Sequence, residues 1–340
     1  MNSRELVKRT LEFDKPDSIP RQLWLLPWAE NNHPDEVKYI GEKYPDDITW
    51  CPACLAEKPG TQGDQFERGT YIDEWGCVFE NRHRGIIGEV KEPLVKDWPD
   101  LEKVRTPVEC LSVDRDQVNA FCSRTDRFVL AGCCPRPFER IQFLRGTENV
   151  LMDTALRPGE FDELLDTVRG FYIDELEVWA KTDVDGLMFM DDWGSQLALL
   201  ISPDSWREMF KPIYRDFIDI AHSHGKKAFM HSDGNIVDIL DDLIELGLDA
   251  INSQVFCMGI EELGRRFAGR ITFWGEVDRQ HLLPNGTEED IRDAVRSMTD
   301  NLYSAGGLIA QLEFGPGAKP ENIIAAFDEW DCLTKQQDKS

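Results

Sequence analysis

Four apolar, strand-like runs of the sequence are each followed at once by acidic residues or a histidine. These polar residues are Asp191 and Asp192 after 187–190, His231 and Asp233 after 227–230, Glu276 after 271–275, and Glu313 after 308–312. Several carboxylates in one cavity raise one another's pKa unless a metal ion, a shared proton or a cationic substrate neutralises them. The pattern therefore indicates a cation site or an acid–base site.

The histidine indicates which kind of cation such a site would bind. His231, together with carboxylates from Asp233, Glu276 or Glu313, would supply the mixed nitrogen and oxygen donors and the open position typical of catalytic zinc. The alternative is that the aspartates cap the helices that follow, since Asp is favoured at helix N-termini. That alternative does not account for His231, because a histidine at a strand end has no capping role.

Eight strand-like runs alternate with amphipathic helical stretches, which is typical of a parallel α/β architecture. The runs are 20–25, 47–51, 128–133, 185–190, 227–231, 249–252, 271–275 and 308–312. Eight such units predict a single (β/α)8 (TIM) barrel, in which the active site lies at the C-terminal ends of the strands. Glycines and alternating aromatic residues in 70–91 predict an inserted β-hairpin, or two, near the mouth. We expect one barrel domain over residues 1–335 and a frayed tail over 336–340.

Composition excludes several classes of function. The chain has 340 residues, with 38 Lys and Arg against 64 Asp and Glu, a net charge of −26. Such a surface repels nucleic acid and anionic lipid. The sequence has no apolar run long enough to span a membrane and no signal peptide, and its nine cysteines follow no disulfide pattern. We expect a cytoplasmic protein with no nucleic-acid or membrane partner.

Motifs in a fixed order resemble the uroporphyrinogen decarboxylase superfamily over nearly the whole chain. They are Pro137-Phe138-Glu139, Arg145-Gly146-Thr147-Glu148, Asp191-Asp192-Trp193-Gly194-Ser195-Gln196, His231-Ser232-Asp233-Gly234, Trp274-Gly275-Glu276-Val277-Asp278 and Pro320-Glu321-Asn322-Ile323. The resemblance implies a single (β/α)8 barrel, and it allows a homodimer.

Two branches of this superfamily differ near the N-terminus. True uroporphyrinogen decarboxylases carry an arginine-rich segment of the form R-Q-A-G-R that binds a polycarboxylate substrate, whereas 20–30 of this chain holds one arginine, Arg21. The other branch comprises methyltransferases that exchange methyl groups with corrinoids. Its coenzyme M members bind zinc through an H-x-C motif and a later cysteine, and His231-Ser232-Asp233 and Glu313 stand at similar places here.

The resemblance therefore implies a zinc-dependent methyltransferase that moves a methyl group from a small substrate, such as a methoxylated aromatic compound, to a corrinoid carried by a partner protein. We assign His231, Asp233 and Glu313 as metal ligands. Asp191, Asp192 and Glu276 are the candidate catalytic residues, which orient the substrate or hold a proton. The candidate substrate contacts are Trp28, Trp193, Gln196 and Arg21, although each tryptophan could instead belong to the core.

Two alternatives stay open. The first is a decarboxylase of uroporphyrinogen or of another small acid, in which an aspartate at a strand end stabilises a cationic pyrrole. The second is a binding protein that retains the barrel without activity, since fold similarity alone does not establish a reaction.

Overall fold

Eight parallel strands follow one another around a barrel, and three antiparallel strands form a separate sheet. The computed structural model describes residues 1–337. Numbered along the chain, the strands are β1 (Arg21–Leu25), β2 (Ile48–Trp50), β3 (Gly69–Ile72), β4 (Val78–Asn81), β5 (Glu89–Val90), β6 (Phe128–Leu130), β7 (Gly186–Met190), β8 (Lys227–Ser232), β9 (Ala250–Ser253), β10 (Thr272–Trp274) and β11 (Leu308–Phe314). Each of the eight predicted strands overlaps one barrel strand, so the predicted (β/α)8 barrel is confirmed.

The order around the barrel is β1-β11-β10-β9-β8-β7-β6-β2. Strands β1 and β2 stand at the two ends of this order and approach each other where they begin. The Asp47 N–H donates to the Arg21 carbonyl at 2.9 Å, and the Arg21 N–H donates to Asp47 Oδ2 at 2.8 Å. These two bonds draw the ends of the sheet together, and the barrel is nearly closed.

Helices surround the barrel: the first precedes β1, the last follows β11, and the others lie between strands. They are α1 (Ser3–Leu11), α2 (Pro27–Asn32), α3 (Pro34–Lys43), α4 (Arg115–Cys122), α5 (Pro137–Arg145), α6 (Thr147–Leu156), α7 (Gly159–Ala180), α8 (Pro203–Met209), α9 (Lys211–Ser223), α10 (Val237–Leu246), α11 (Val255–Met258), α12 (Ile260–Phe267), α13 (Leu282–Asn285), α14 (Glu288–Leu302) and α15 (Pro320–Gln337). Residues 338–340 of the predicted tail lie outside the described residues. None of the described helices is long and apolar enough to cross a membrane.

Side chains inside the barrel form layers along its axis. The lower layer is apolar and consists of Ile48, Phe128, Met188, Phe229 and Ile309. Because side chains alternate between the two faces of a strand, the residue two positions further along points to the same interior, nearer the strand's C-terminal end. Phe229 is thus followed by His231, and Ile48 by Trp50. We call the end of the barrel at the strand C-termini the mouth, and the other end the base.

The insertion forms the antiparallel sheet β3-β4-β5 and packs on helices α5 and α7. Trp75 meets Phe171 of α7 edge to face, with ring centroids 5.1 Å apart, and Phe79 meets Phe143 of α5 at the same distance. The loop between β4 and β5 lies against the start of α2, so closely that a Cβ on Gly85 would stand 2.8 Å from the Trp28 nitrogen. The predicted insertion is confirmed, and it contacts the segment that follows β1 at the mouth.

Candidate active site

A histidine and two aspartates converge at the mouth. His231 is the residue before the last in β8, and its Nε2 lies 3.6 Å from Asp192 Oδ1 and 3.5 Å from Asp233 Oδ1. Its other ring nitrogen, Nδ1, lies 2.6 Å from Asn252 Oδ1 on the neighbouring strand β9. Since the Asn252 amide oxygen can only accept, Nδ1 carries the proton that fixes the ring, and Nε2 is aimed at the two carboxylates.

The carboxylates also determine the charge of the imidazole. Burial lowers the pKa of His231, but the contact with Asp192 and the charges of Asp233 and Asp192 outweigh it and raise the pKa to about 9. Burial in turn raises the pKa of Asp192, and the contact with His231 and its positive charge more than compensate, so the net shift is downward. Without a metal ion, the group is therefore a histidinium between two carboxylates.

The same three side chains fit a divalent metal ion. One ligand atom from each of Asp192, His231 and Asp233 lies within 4.8 Å of the others. Asp233 Oδ1 is buried and makes no hydrogen bond within the described residues, so this oxygen has a lone pair available for a ligand. Two carboxylate oxygens and one imidazole nitrogen, with the Asp192 side chain 45% exposed, leave room for water or substrate at the open position.

The side chain of Arg279 contacts three carboxylates at the mouth. The sequence analysis did not identify this arginine as part of the site. Its guanidinium donates to Asp233 and lies 2.9 Å from Glu313 Oε2 and 3.3 Å from Glu276 Oε1. Glu313, assigned above as a metal ligand, is therefore paired with Arg279 and lies outside the group of three. A signal was present in the sequence, because Arg279 follows Glu276 by three residues in the same loop.

Glu276 is the most buried acid that faces the mouth. It is 1% exposed, and neither of its side-chain oxygens makes a hydrogen bond within the described chain. Burial raises its pKa, Arg279 lowers it, and the charges of Asp233 and Glu313 raise it further, to about 8. Glu276 therefore holds a proton at neutral pH, and it lines a cavity of about 180 Å³ together with Gln196, Gln254 and Cys257.

Asp191 and Asp192 are adjacent in sequence and differ in their surroundings. Asp191 is fully buried, and its carboxylate accepts the N–H groups of Phe138 at 3.0 Å and Glu139 at 2.8 Å at the start of α5. The Tyr214 hydroxyl donates to it at 2.6 Å. Burial and the charge of Glu139 raise the pKa of Asp191 despite these bonds. The structure thus gives Asp191 a helix-capping position behind the site and leaves Asp192 facing it, but the helix that Asp191 caps is α5, which precedes it in the chain, and not the following helix of the capping alternative.

The candidate substrate contacts lie in four different environments. Trp193 is completely buried: its ring stacks on Phe138 at 4.1 Å, which puts it in the core rather than in a wall of the mouth. Arg21 lies at the base, since it begins β1 and pairs with Asp331 of α15 at 2.5 Å. The structure thus separates both residues from the mouth.

The other two contacts lie nearer the mouth. Gln196 is exposed and donates to Gln254 at 3.0 Å, on the rim of the cavity that Glu276 lines. Trp28 is half-buried in α2 under the insertion, beside His33 with ring centroids 5.5 Å apart.

The sequence analysis did not single out two tryptophans of the mouth, Trp24 beside the histidine and Trp50 beside Trp24. The Trp24 ring of β1 is 5.3 Å from the His231 ring and 5.9 Å from the Trp50 ring of β2. Trp50 is 38% exposed. A signal for both was present, because Trp24 and Trp50 occupy inward positions at the C-terminal ends of predicted strands.

Comparison with known proteins shows to which family the chain is related. The sequence model of the family "Uroporphyrinogen decarboxylase (URO-D)" matches residues 73–331. A methyltransferase from Methanosarcina mazei has a similar structure, with a TM-score of 0.69, 17% identity, and 98% of this chain and 99% of that chain covered.

More distant is a B12-independent methionine synthase from Shewanella sp. W3-18-1, with a TM-score of 0.43 and 12% identity over 99% of this chain and 89% of that chain. No curated protein sequence matches the chain. At these identities the structural likenesses show the fold alone, whereas the sequence match covers well over half of the chain. The chain belongs to the uroporphyrinogen decarboxylase family.

Proposed function

We propose that the protein is a zinc-dependent methyltransferase, which moves a methyl group from a small substrate such as a methoxylated aromatic compound to a corrinoid carried by a partner protein. The observation that carries the proposal is the convergence of Asp192, His231 and Asp233 at the mouth, with an unbonded, buried Asp233 oxygen among them. Membership of the family is compatible with an enzyme of the decarboxylase or methyltransferase kind, and the Methanosarcina mazei protein of similar fold carries the name methyltransferase.

In the reaction, the carbon–oxygen bond of the methyl ether breaks and the oxygen keeps the electron pair. The methyl group forms its new bond with cobalt(I) of the corrinoid, which supplies both electrons of that bond. When bound, a zinc ion would act as a Lewis acid on the ether oxygen and lower the cost of its negative charge.

The chain's own residues supply orientation and a proton. Asn252 fixes the ring of His231, so that Nε2 faces the substrate side of the site. Glu276 is protonated at neutral pH because of its burial, and it would give that proton to the oxygen that loses its methyl group. Arg279 neutralises Asp233 and Glu313 and so limits repulsion among the carboxylates.

Metal analysis tests the ligand set. We expect the purified protein to hold one zinc ion per chain and the His231→Ala and Asp233→Ala variants to lose it. His281→Ala is the matched control, since His281 is 76% exposed. Glu313→Ala asks whether Glu313 completes the set, for which it would have to leave Arg279. Unchanged zinc in both His231→Ala and Asp233→Ala would reject the site.

The transfer itself is tested with cob(I)alamin and 2-methoxyphenol. We expect methylcobalamin and catechol to form in equal amounts, followed by absorbance and chromatography, and both to be absent with His231→Ala. Zinc binding without any transfer to cobalt from methyl ethers would reject the methyltransferase proposal while leaving the metal site in place.

Family membership keeps uroporphyrinogen decarboxylation as a second candidate. The charges near the mouth oppose it, because Arg279 is already shared among three carboxylates and Arg136 lies 3.6 Å from Glu139. A polyanionic substrate would have to compete with these acids for both arginines. Conversion of uroporphyrinogen to coproporphyrinogen by the purified protein would decide for the decarboxylase.

A further inference from the structure

Three tryptophans from different strands meet inside the mouth. The Trp24 ring lies 5.9 Å from Trp50 and 5.2 Å from Trp274, almost perpendicular to it. Trp50 and Trp274 are 6.5 Å apart. These spacings are within the range of favourable aromatic pairs, so the three rings form one continuous surface.

The three rings differ in what covers them. Trp274 is completely buried and also packs on Phe229, at 5.2 Å, in the apolar layer below. Trp50 is 38% exposed, although it belongs to a strand at the centre of the fold. Trp24 is partly exposed, and its Nε1 donates to Gln22 at 3.3 Å. Trp274 therefore forms the floor, whereas Trp24 and Trp50 present ring surface that no described side chain fully covers.

This aromatic surface adjoins the candidate metal ligands. The Trp24 ring lies 5.3 Å from the imidazole of His231, and Trp24 is opposite Glu313 in the register of β1 and β11. Carboxylates and the imidazole come from the loops and ends of β7, β8, β10 and β11, whereas the exposed aromatic surface comes from β1 and β2. The mouth is thus divided into a charged side and an aromatic side that meet at His231.

A ligand that fits both sides has a flat apolar body and a polar atom at one edge. A benzene ring could lie on Trp24 and Trp50 while an oxygen substituent reaches the His231 side. A saturated ring or a short alkyl ether carries the same oxygen, but it has no π face to pair with the two indoles. A cationic ligand is disfavoured when a divalent ion occupies the site, because both would be positive at short range.

We infer that Trp24 and Trp50 bind the aromatic ring of the methyl donor and make the enzyme select aryl over alkyl methyl ethers. This inference rests on the proposed methyltransferase function, and it assigns the residues that select the substrate at the same site. The two residues act in binding and selectivity, and the bond-breaking chemistry stays with the opposite side of the mouth.

Equilibrium binding to the zinc-loaded full chain tests the inference. The probes are 2-methoxyphenol and 2-methoxycyclohexanol, which carry the same oxygen substituents on an aromatic and on a saturated ring. Because the phenol hydroxyl is also the more acidic, variants of the two tryptophans separate the ring contact from the binding of the hydroxyl group. We expect the wild type to bind 2-methoxyphenol about three- to tenfold more tightly than 2-methoxycyclohexanol in calorimetric titration, a ratio that corresponds to the strength of an aromatic pair. Equal affinities for the two probes would overturn the inference.

Variants assign the selectivity to the two rings. Trp50→Ala is expected to remove most of the preference by weakening 2-methoxyphenol alone, and Trp50→Phe to restore part of it. Trp24→Phe covers the case in which Trp24→Ala fails to fold. Tyr39→Ala is the control, since Tyr39 is an aromatic residue on α3 that is 50% exposed, and it should leave both affinities unchanged. A preference that survives undiminished in folded Trp50→Ala would also overturn the inference.

The outcome separates this inference from the function on which it rests. Selective binding of 2-methoxyphenol without methyl transfer to cob(I)alamin would support the aromatic side and reject the methyltransferase. Transfer from 2-methoxyphenol and 2-methoxycyclohexanol with equal kcat/KM would support the methyltransferase and reject the aromatic side.

Discussion

Aspartates stand at both ends of the barrel, and their surroundings differ. At the base, Asp47, Asp185 and Asp249 each directly precede a strand, and each accepts a backbone N–H from the neighbouring strand at 2.8 or 2.9 Å. At the mouth, Asp192 and Asp233 follow strands, and Asp233 Oδ1 and both oxygens of Glu276 make no hydrogen bond within the described residues.

The difference arises from where each carboxylate stands relative to its strand and from how it is solvated. A carboxylate just before a strand accepts an N–H near the start of the preceding strand. Nearby cations add to this, since Arg4 and Lys8 lie 2.8 and 3.0 Å from Asp185. Glu276 at the mouth has Arg279 nearby, but neither of its buried oxygens accepts a hydrogen bond within the described residues, which costs stability. Acids at the base therefore stabilise the fold. Buried acids at the mouth lower the stability of the fold, and a bound ligand can offset that cost.

The largest effect is expected from a change at the base. Asp185→Ala leaves Arg4 and the Val129 N–H without their acceptor, so the free energy of unfolding should fall by about 2–4 kcal/mol. Zinc content should not change. Urea unfolding and metal analysis measure the two quantities, and a loss of zinc in a folded Asp185→Ala protein would break the division between the ends.

Asp191 and Asp192 allow a stabilising acid and a ligand-binding acid to be compared within one loop. Asp191→Ala removes a buried acceptor of three hydrogen bonds and should cost about 2–3 kcal/mol of unfolding free energy. Asp192→Ala should change stability by less than about 1 kcal/mol, because its side chain is 45% exposed, but should weaken zinc binding at least about a hundredfold. The opposite assignment of the two effects would contradict the structure.

Because of Glu276, the free energy of unfolding of the metal-free protein depends on pH. Its pKa is raised from 4.5 to about 8 in the folded protein, so between these values the folded state holds a proton that the unfolded state has released. The stability of the metal-free wild type therefore falls as pH rises through this window.

Glu276→Gln removes that dependence. From pH 5 to pH 8 its free energy of unfolding should gain roughly 2–3 kcal/mol on that of the wild type, in thermal or urea unfolding with EDTA present. A constant difference across the range would mean that Glu276 ionises normally in the folded protein.

The smallest effect is expected from Arg21. It is partly exposed at the base and pairs with Asp331, so Arg21→Ala should cost about 1 kcal/mol or less and leave KM for the methyl donor unchanged. A rise in KM without a matching loss of stability would return Arg21 to the list of substrate contacts.

Much of the fold could be predicted because its signals are local. Apolar runs of four to six residues separated by amphipathic helices define the strands, and a strand end determines which residue reaches the mouth. His231, Asp233 and Asp192 could be placed at one end of the barrel by this reasoning alone. The order of the motifs identified the family, and residues 73–331 confirm it.

Other parts of the site depend on the conformations of loops, which the sequence pattern does not determine. Asp191 and Asp192 are neighbours in the chain, and the turn after β7 decides which one caps α5 and which one faces His231. Glu313 was assigned with the metal ligands, but the conformation of the loop after β10 brings Arg279 to it at 2.9 Å. Trp28 and Trp193 stood out as neighbours of conspicuous motifs, whereas the ring that reaches His231 is Trp24.

The sequence by itself determined the eight-stranded barrel, the family and the end of the barrel at which the chemistry lies, because strand periodicity and motif order are properties of short segments. Only the tertiary structure decided which acids share Arg279, which aspartate is a cap and which tryptophans line the mouth. These pairings join residues that are distant in sequence, and their geometry follows from the register between neighbouring strands and from the loop conformations that the packed barrel imposes.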